Sequence, residues 1–338
     1  MMADNPNLNR YCRGPIFICY DQEPLLPEYN RNLFESLQFR WESPYILLNT
    51  ERDSDAKNRI LKEHNMLDVN YFYHGLCASD WYRGYRFDAR ITDPCSRKIK
   101  KSYVTLNRIT SGERVYRIIF VAKLLAEGLD RNGLISFSDV CADSGKHAVV
   151  ELHHYGLEHG IDTSELVKAI STAELPLRFD TPTNVAIPNG SHQLGPVDKF
   201  LEAAFFVVTE TCFWDRKTHL TEKIFKPIVM KMPFILLGPA HNLKYLRSYG
   251  FKTFGEWIDE SYDDIEDNMQ RIDAVVKVLK DLEGKDLEKM LTEMAPILEH
   301  NFNLFYSKEF VDGIWTELTD GIKSALQQAG VPLLPQKP

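Results

Sequence analysis

The stretch from Lys199 to Phe254 constrains this chain more than any other, because KFLEAAFFVVTE, TEKIFKPIVMK, PFILLG and HNLKYLRSYG alternate apolar runs with helix-length segments. An unbroken apolar run suits a strand covered on both faces, and such strands belong to parallel sheets whose crossovers are helices. The alternation therefore predicts right-handed βαβ units, with Gly250 ending the second helix and FKTF as a further short strand. Ligands of such sheets sit beyond the carboxyl ends of the strands. The loop between AAFFVV and TEKIF is thus the first place to look for chemistry.

Other stretches follow the same plan. SYVTLNR from Ser102 predicts a strand, Arg114 to Gly128 an amphipathic helix stopped by glycine, and GLISFSDV another strand. Towards the amino terminus PIFICY (15–20), SPYILLNT (43–50) and VNYFYHG (69–75) read as strands, with helical stretches at Arg31 to Gln38 and Ala56 to His64. The polar segment 88–101, DARITDPCSRKIKK, reads as a linker. Three helices close the chain, about Tyr262 to Leu282, Lys285 to His300 and Ser307 to Gln328. Between 142 and 198 only a helix from about Thr163 to Ala173 is legible, and Pro176, Pro182, Pro188 and Pro196 make the remainder a loop able to lie over a site as a lid. At 338 residues the chain exceeds one comfortable core, so an α/β fold in two domains is expected.

Composition narrows the function classes. A hydrophobic share of 44% and a charged share of 26% are those of a globular protein. The net charge of -8 argues against non-specific coating of nucleic acid, which depends on basic surface that displaces counterions. No stretch approaches the roughly 20 apolar residues of a membrane helix, and MMADNPNLNR has no apolar signal core, so no membrane span and a cytoplasmic location are expected. The six cysteines form no CxxC pair and have no histidine partner at zinc spacing.

Four segments carry residues suited to chemistry. THLTEKIFKP (218–227) sets Thr221, Glu222 and Lys223 where a loop becomes a helix, and unpaired N–H groups there, with a lysine beside them, attract a pyrophosphate. The plain alternative is a threonine cap with two exposed charges. Pro227 implies a kink in that helix. Glu210 ends the strand AAFFVVT and can accept from ribose hydroxyls, or simply face solvent. TLNRITSGERVYRI (105–118) clusters Asn107, Arg108, Arg114 and Arg117 around a strand-to-helix turn, where the arginine fork suits two phosphate oxygens. YDQEPLLPEY (20–29) presents Asp21 and Glu23 at the end of the first strand, either as turn-capping acids or as a general base. The acidic run DESYDDIED (259–267) is read as dipole-favouring charge at a helix start rather than a metal site.

The order of these segments resembles glycosyltransferase family 10, the α-1,3-fucosyltransferases. FFVVTETCFWDRKTHLTEKIFKPIVMKMPFILLG (205–238) resembles the donor-binding region of that family, Asn107 with Arg117 looks like its Ser-Asn and Arg element, and QEPL (22–25) looks like its Glu-Ser-Pro segment. The resemblance implies a GT-B fold: two Rossmann-like domains with parallel sheets facing a cleft and C-terminal helices crossing back to the first domain. On this chain the domains would be 1–97 with 307–338, and 98–306. It further implies an inverting, metal-independent transfer of a sugar from a nucleotide sugar, without cofactor. Lys223 and Arg117 would neutralise the donor diphosphate, Glu210 and Glu222 fix the nucleoside, and Glu23 deprotonate the acceptor, beside Asn107, Arg114 and Thr221 in the donor site. LKYLRSYGFKTFGEWIDESYD is similar to transferase-like proteins of tailed bacteriophages, which adds a modified pyrimidine of viral DNA to glycans as an acceptor class and host cytoplasm as the location. A non-catalytic sugar-nucleotide or glycan-binding module on the same fold is the reading of a different class. Neither the sugar nor the oligomeric state is legible.

Overall fold

The computed structural model describes residues 14–25, 44–91, 93–175, 177 and 193–332. It is a mixed α/β protein with two parallel sheets. Its residues fall into two compact units: Met1–Cys77 with Arg216–His219 and Lys308–Pro338, and Ala78–Asp215 with Leu220–Ser307. The sequence predicts a boundary at 97/98, whereas the compact units divide at 77/78, within the helix Tyr73–Trp81, and segment 88–101 holds short 3-10 turns.

In the first unit, strands β1 (Ile16–Cys19), β2 (Tyr45–Asn49) and β3 (Met66–Asn70) pair in parallel in the order β1-β2-β3. β2 is central and buried along its whole length, which is why YILLN carries no polar alternation before Asn49. Helix α1 (Asp55–Glu63) starts at Ser54, whose hydroxyl caps Lys57 N, and connects β2 to β3. β3 lies earlier than VNYFYHG, since only Val69 and Asn70 of that run are strand and Tyr73–Trp81 is helix α2. The stretch Arg31 to Gln38 lies outside the described residues.

The second unit contains β4 (Lys101–Asn107), β5 (Gly133–Phe137), β6 (Ala203–Thr209) and β7 (Phe234–Leu237), all parallel, in the order β5-β4-β6-β7. Helix α3 (Tyr116–Ala126) connects β4 to β5 and is buried on nearly every side, as YRIIFVAKLLA requires. Gly128 follows it at φ 70°, the left-handed conformation that a helix-terminating glycine adopts without a Cβ clash. Between β5 and β6 come α4 (Ala148–His159), α5 (Ser164–Thr172) and α6 (Val197–Phe200). The lid expected at Pro182 and Pro188 lies outside the described residues.

After β6, a 3-10 turn at Glu222–Ile224 runs into the short helix α7 (Phe225–Val229), so Pro227 sits in a helix too brief to kink. Helices α8 (Asn242–Ser248), α9 (Asn268–Asp281), α10 (Leu287–Phe305) and α11 (Lys308–Gln328) complete the chain. FKTF is not a strand: the Asn301 side chain pairs both Lys252 N and Lys252 O at 2.8 Å, doing what a neighbouring strand would do. α11 belongs to the first unit, where Phe310, Ile314 and Leu318 form its buried stripe and Glu317 accepts from Phe72 N at 3.0 Å.

Candidate functional site

The chain leaves β4 for β5 on one side and returns to β6 on the other, so strand order reverses between β4 and β6. At such a switch point the two connections diverge and leave a crevice at the carboxyl ends of the strands. Here those ends are Asn107 and the pair Thr209–Glu210, which are also residues the sequence singles out.

Arg117, on the first turn of α3, reaches this place but is spent on the backbone. Its Nη2 donates to Thr209 O at 3.0 Å and Glu210 O at 2.8 Å, and its Nη1 to Ile109 O at 2.9 Å. The residue is only 4% exposed. The Tyr116 hydroxyl donates to the same Glu210 carbonyl, and its ring stacks on Phe213 at 4.3 Å between centroids. The fork expected to hold phosphate oxygens instead holds the end of β6 against α3.

Glu210 is fully buried and its carboxylate ties two loop strands together. One oxygen accepts from Thr221 N at 3.2 Å, and the other from Thr221 Oγ1 at 2.5 Å and Thr211 N at 3.3 Å. Burial pushes its pKa up, against the pull of the Lys223 ammonium and the Thr221 donors. A carboxylate so occupied fixes the loop that follows β6 rather than meeting a ribose directly.

Thr221 caps the 3-10 turn, its Oγ1 accepting from Lys223 N at 3.5 Å. The Lys223 ammonium lies 3.0 Å from Thr211 Oγ1, 3.2 Å from Thr221 Oγ1 and 3.1 Å from Glu222 Oε1. Its side chain is 31% exposed, whereas Glu222 is almost buried beside it. Lys223 is therefore the cation of this cluster that solvent and a ligand can reach.

Asn107 is buried, with Nδ2 donating to Thr105 Oγ1 at 3.3 Å and Oδ1 without a partner among the described residues. The partly exposed Arg114 guanidinium makes no hydrogen bond or ion pair among the described residues. Arg108 is 4.0 Å from Asp143, with both side chains exposed. The loop between β4 and α3 is pinned by groups the sequence reading missed. Glu151 of α4 accepts from Gly112 N at 3.0 Å, and Cys141 Sγ lies 3.5 Å from Thr110 N and 3.4 Å from Ser111 Oγ. The signal for α4 was present in Ala148, Leu152 and Tyr155 spaced along one face, ahead of Gly160 at φ 65°.

Burial pushes the Cys141 thiol up, but the donors of Ser111, Thr110 and Ser144 outweigh it and bring its pKa to about 6 from the usual 9.0. Thiolate absorbance at 240 nm is expected to titrate with a midpoint near 6, and Cys141→Ser to remove that step. A folded pKa below the unfolded one gives stability that is full above pH 9.0 and is lost as pH falls towards about 6. A midpoint near that of free cysteine would refute this.

The first unit holds the other predicted carboxylates. Glu23 is exposed in the bend after β1 and has no partner among the described residues. Asp21 is partly buried and accepts from the Tyr71 hydroxyl. Leu25, two residues after Glu23, is gripped from both sides: its N–H donates to Glu51 Oε1 at 2.6 Å and its carbonyl accepts from Lys217 Nζ at 3.3 Å. Lys217 and Glu51 also form an ion pair at 3.3 Å, with side chains 0% and 1% exposed.

Carboxylates of the acidic run 259–267 serve backbone amides. Asp263 accepts from Leu243 N and Lys244 N, Glu260 from Phe254 N, and Asp267 caps Gln270 N. Among the described residues no three His, Cys, Asp or Glu side chains are grouped to hold an ion, and no helix is long and apolar enough to cross a membrane. No family model, no curated protein and no solved structure matches this chain.

Proposed function

We propose that the chain is an inverting glycosyltransferase that moves a sugar from a nucleoside-diphosphate sugar to a hydroxyl acceptor. One observation carries the reading: a solvent-reachable ammonium, Lys223, sits on a carboxylate-braced loop at the switch point of a parallel sheet. That is where open α/β sheets take their ligands, and a positive charge there suits a diphosphate. The order of the segments, similar to glycosyltransferase family 10, points the same way and brings the GT-B architecture with it.

The chemistry is a single displacement. The acceptor oxygen loses its proton to a carboxylate and attacks the anomeric carbon, while the bond to the diphosphate breaks. Negative charge grows on the leaving oxygens, so Lys223 and the Arg114 guanidinium stabilise the transition state more than the bound donor. Arg117 acts indirectly in this account, by holding the Thr209–Glu210 backbone. Asn107, whose buried Oδ1 has no partner among the described residues, is suited to accept from a donor hydroxyl. The resemblance assigns the proton to Glu23, and Asp21 stands two residues away. Of the acceptor classes, the net charge of -8 favours a glycan over the phosphate-lined modified base.

A thermal-shift screen over GDP, UDP, dTDP and CMP and their sugars tests this, followed by assay of nucleotide release. One nucleotide class is expected to raise the melting temperature and its sugar to be slowly hydrolysed. Stabilisation without release would favour the non-catalytic binder, and no stabilisation by any of them would overturn the reading.

A further inference from the structure

Parallel pairing in the first sheet sets Cys19 against Leu48 and Leu48 against Val69. Two residues beyond each lie Asp21, Thr50 and Tyr71, so the three strand ends place a carboxylate, an aliphatic hydroxyl and a phenol at one level of the carboxyl edge. The backbone keeps this level, since Tyr20 N still donates to Leu48 O and Tyr71 N to Asn49 O. The Tyr71 hydroxyl reaches across the central strand to Asp21 Oδ2. Tyr71 is buried, and burial together with Asp21 drives its pKa far upward, so the phenol stays a donor and Asp21 the acceptor. Thr50, between them in the order of the strands, is buried with its hydroxyl unpartnered among the described residues.

These features separate the two candidate carboxylates. A general base works when its lone pair is aimed, which takes a neighbour that fixes the group. Glu23 is exposed and lacks such a neighbour among the described residues, whereas Asp21 is half-buried with one oxygen fixed by Tyr71 and no second hydrogen bond among the described residues. Thr50 adds a hydrogen-bonding group that the described protein does not use, and a buried group of that kind is rare unless water or a ligand serves it.

We propose that the carboxyl edge of the first sheet is the acceptor site, that Asp21 is the proton acceptor there with Thr50 hydrogen-bonding the incoming alcohol, and that Tyr71 is a positioning residue. This rests on the transferase reading. In the step, the acceptor O–H bond breaks and its proton goes to the second carboxylate oxygen of Asp21. The oxygen's electron pair forms the new bond to the anomeric carbon, and the pair of the old carbon–oxygen bond leaves with the diphosphate.

The test is full-length protein with the donor and an alcohol acceptor that turn over on the wild type. Asp21→Asn is expected to lower kcat by a factor on the order of 10³ while the donor-induced melting shift is unchanged. Glu23→Gln is expected to stay within about threefold, far below the roughly 10²–10⁴ that a general base contributes. Tyr71→Phe should lower kcat about tenfold at constant donor KM, a split that a purely structural role would not give. Formate should partly restore Asp21→Ala, which guards against a folding explanation for the loss. Asp21→Asn within threefold of wild type, or Glu23→Gln losing the larger factor, would overturn the assignment while leaving the transferase reading intact. No release of nucleotide by the wild type from any nucleotide sugar would overturn both.

Discussion

Lys223→Ala is expected to lower kcat and kcat/KM together by roughly 10²–10³, about 3–4 kcal/mol of transition-state stabilisation. The ammonium has Thr211, Thr221 and Glu222 as acceptors, so the protein itself sets its geometry. A fixed charge needs no reorganisation when the leaving group becomes negative, which is why its loss should reach turnover as well as binding. Stability is measured alongside by urea unfolding, because the ammonium, though 31% exposed, also offsets burial of the Glu210 carboxylate and bonds Thr221 Oγ1. Steady-state kinetics with a donor from the screen checks this, and a variant whose rate stays within about threefold of wild type would remove Lys223 from the chemistry. Arg117 should behave differently. Its loss strips donors from Ile109, Thr209 and Glu210 carbonyls, so Arg117→Ala reads first as instability.

Lys217→Met is expected to destabilise the first unit by about 3–5 kcal/mol, the usual consequence of leaving one member of a buried pair uncompensated. Glu51 would be left buried and charged, and the Leu25 carbonyl would lose its donor. Lys217→Met with Glu51→Gln should recover more than half of that loss, because a neutral amide can still accept from Leu25 N without a buried charge. Urea unfolding followed by circular dichroism measures both. Equal instability of the single and double variants would mean that packing of the lysine stem, not charge, is what the site needs.

The segment that carries Lys217 also explains a limit of the sequence reading. Arg216–His219 lies inside a stretch otherwise assigned to the second unit, yet it joins the first through the Arg52–Thr218 bridge, with backbone bonds of 2.9 and 2.8 Å. Nothing in DRKTHL marks four residues as lent to another core, because a short bridging segment has no periodicity of its own. Likewise, Glu210 and Arg117 were visible as charges at strand and helix ends. Whether they would face a ligand or the backbone depended on which carbonyls and amides came within hydrogen-bond reach, 2.8 Å for Arg117 to Glu210 O and 3.2 Å for Thr221 N to Glu210.

The sequence alone determined the strands PIFIC, YILLN, YVTLN, LISF, AAFFVVT and FILL, the helices that follow β2, β4 and β7, and the parallel class of both sheets, but not helix α4 between β5 and β6. Local periodicity and chain connectivity suffice for that, since a buried strand must be apolar throughout and a parallel neighbour must be reached by a crossover. Only the tertiary structure decided that strand order reverses between β4 and β6, that Glu151 and Cys141 pin the loop after β4, and that Asp21 rather than Glu23 is held by a phenol. Those partners lie from 30 to 50 positions apart in the chain, and such pairing is fixed by which surfaces the sheets bury, a property of the whole core.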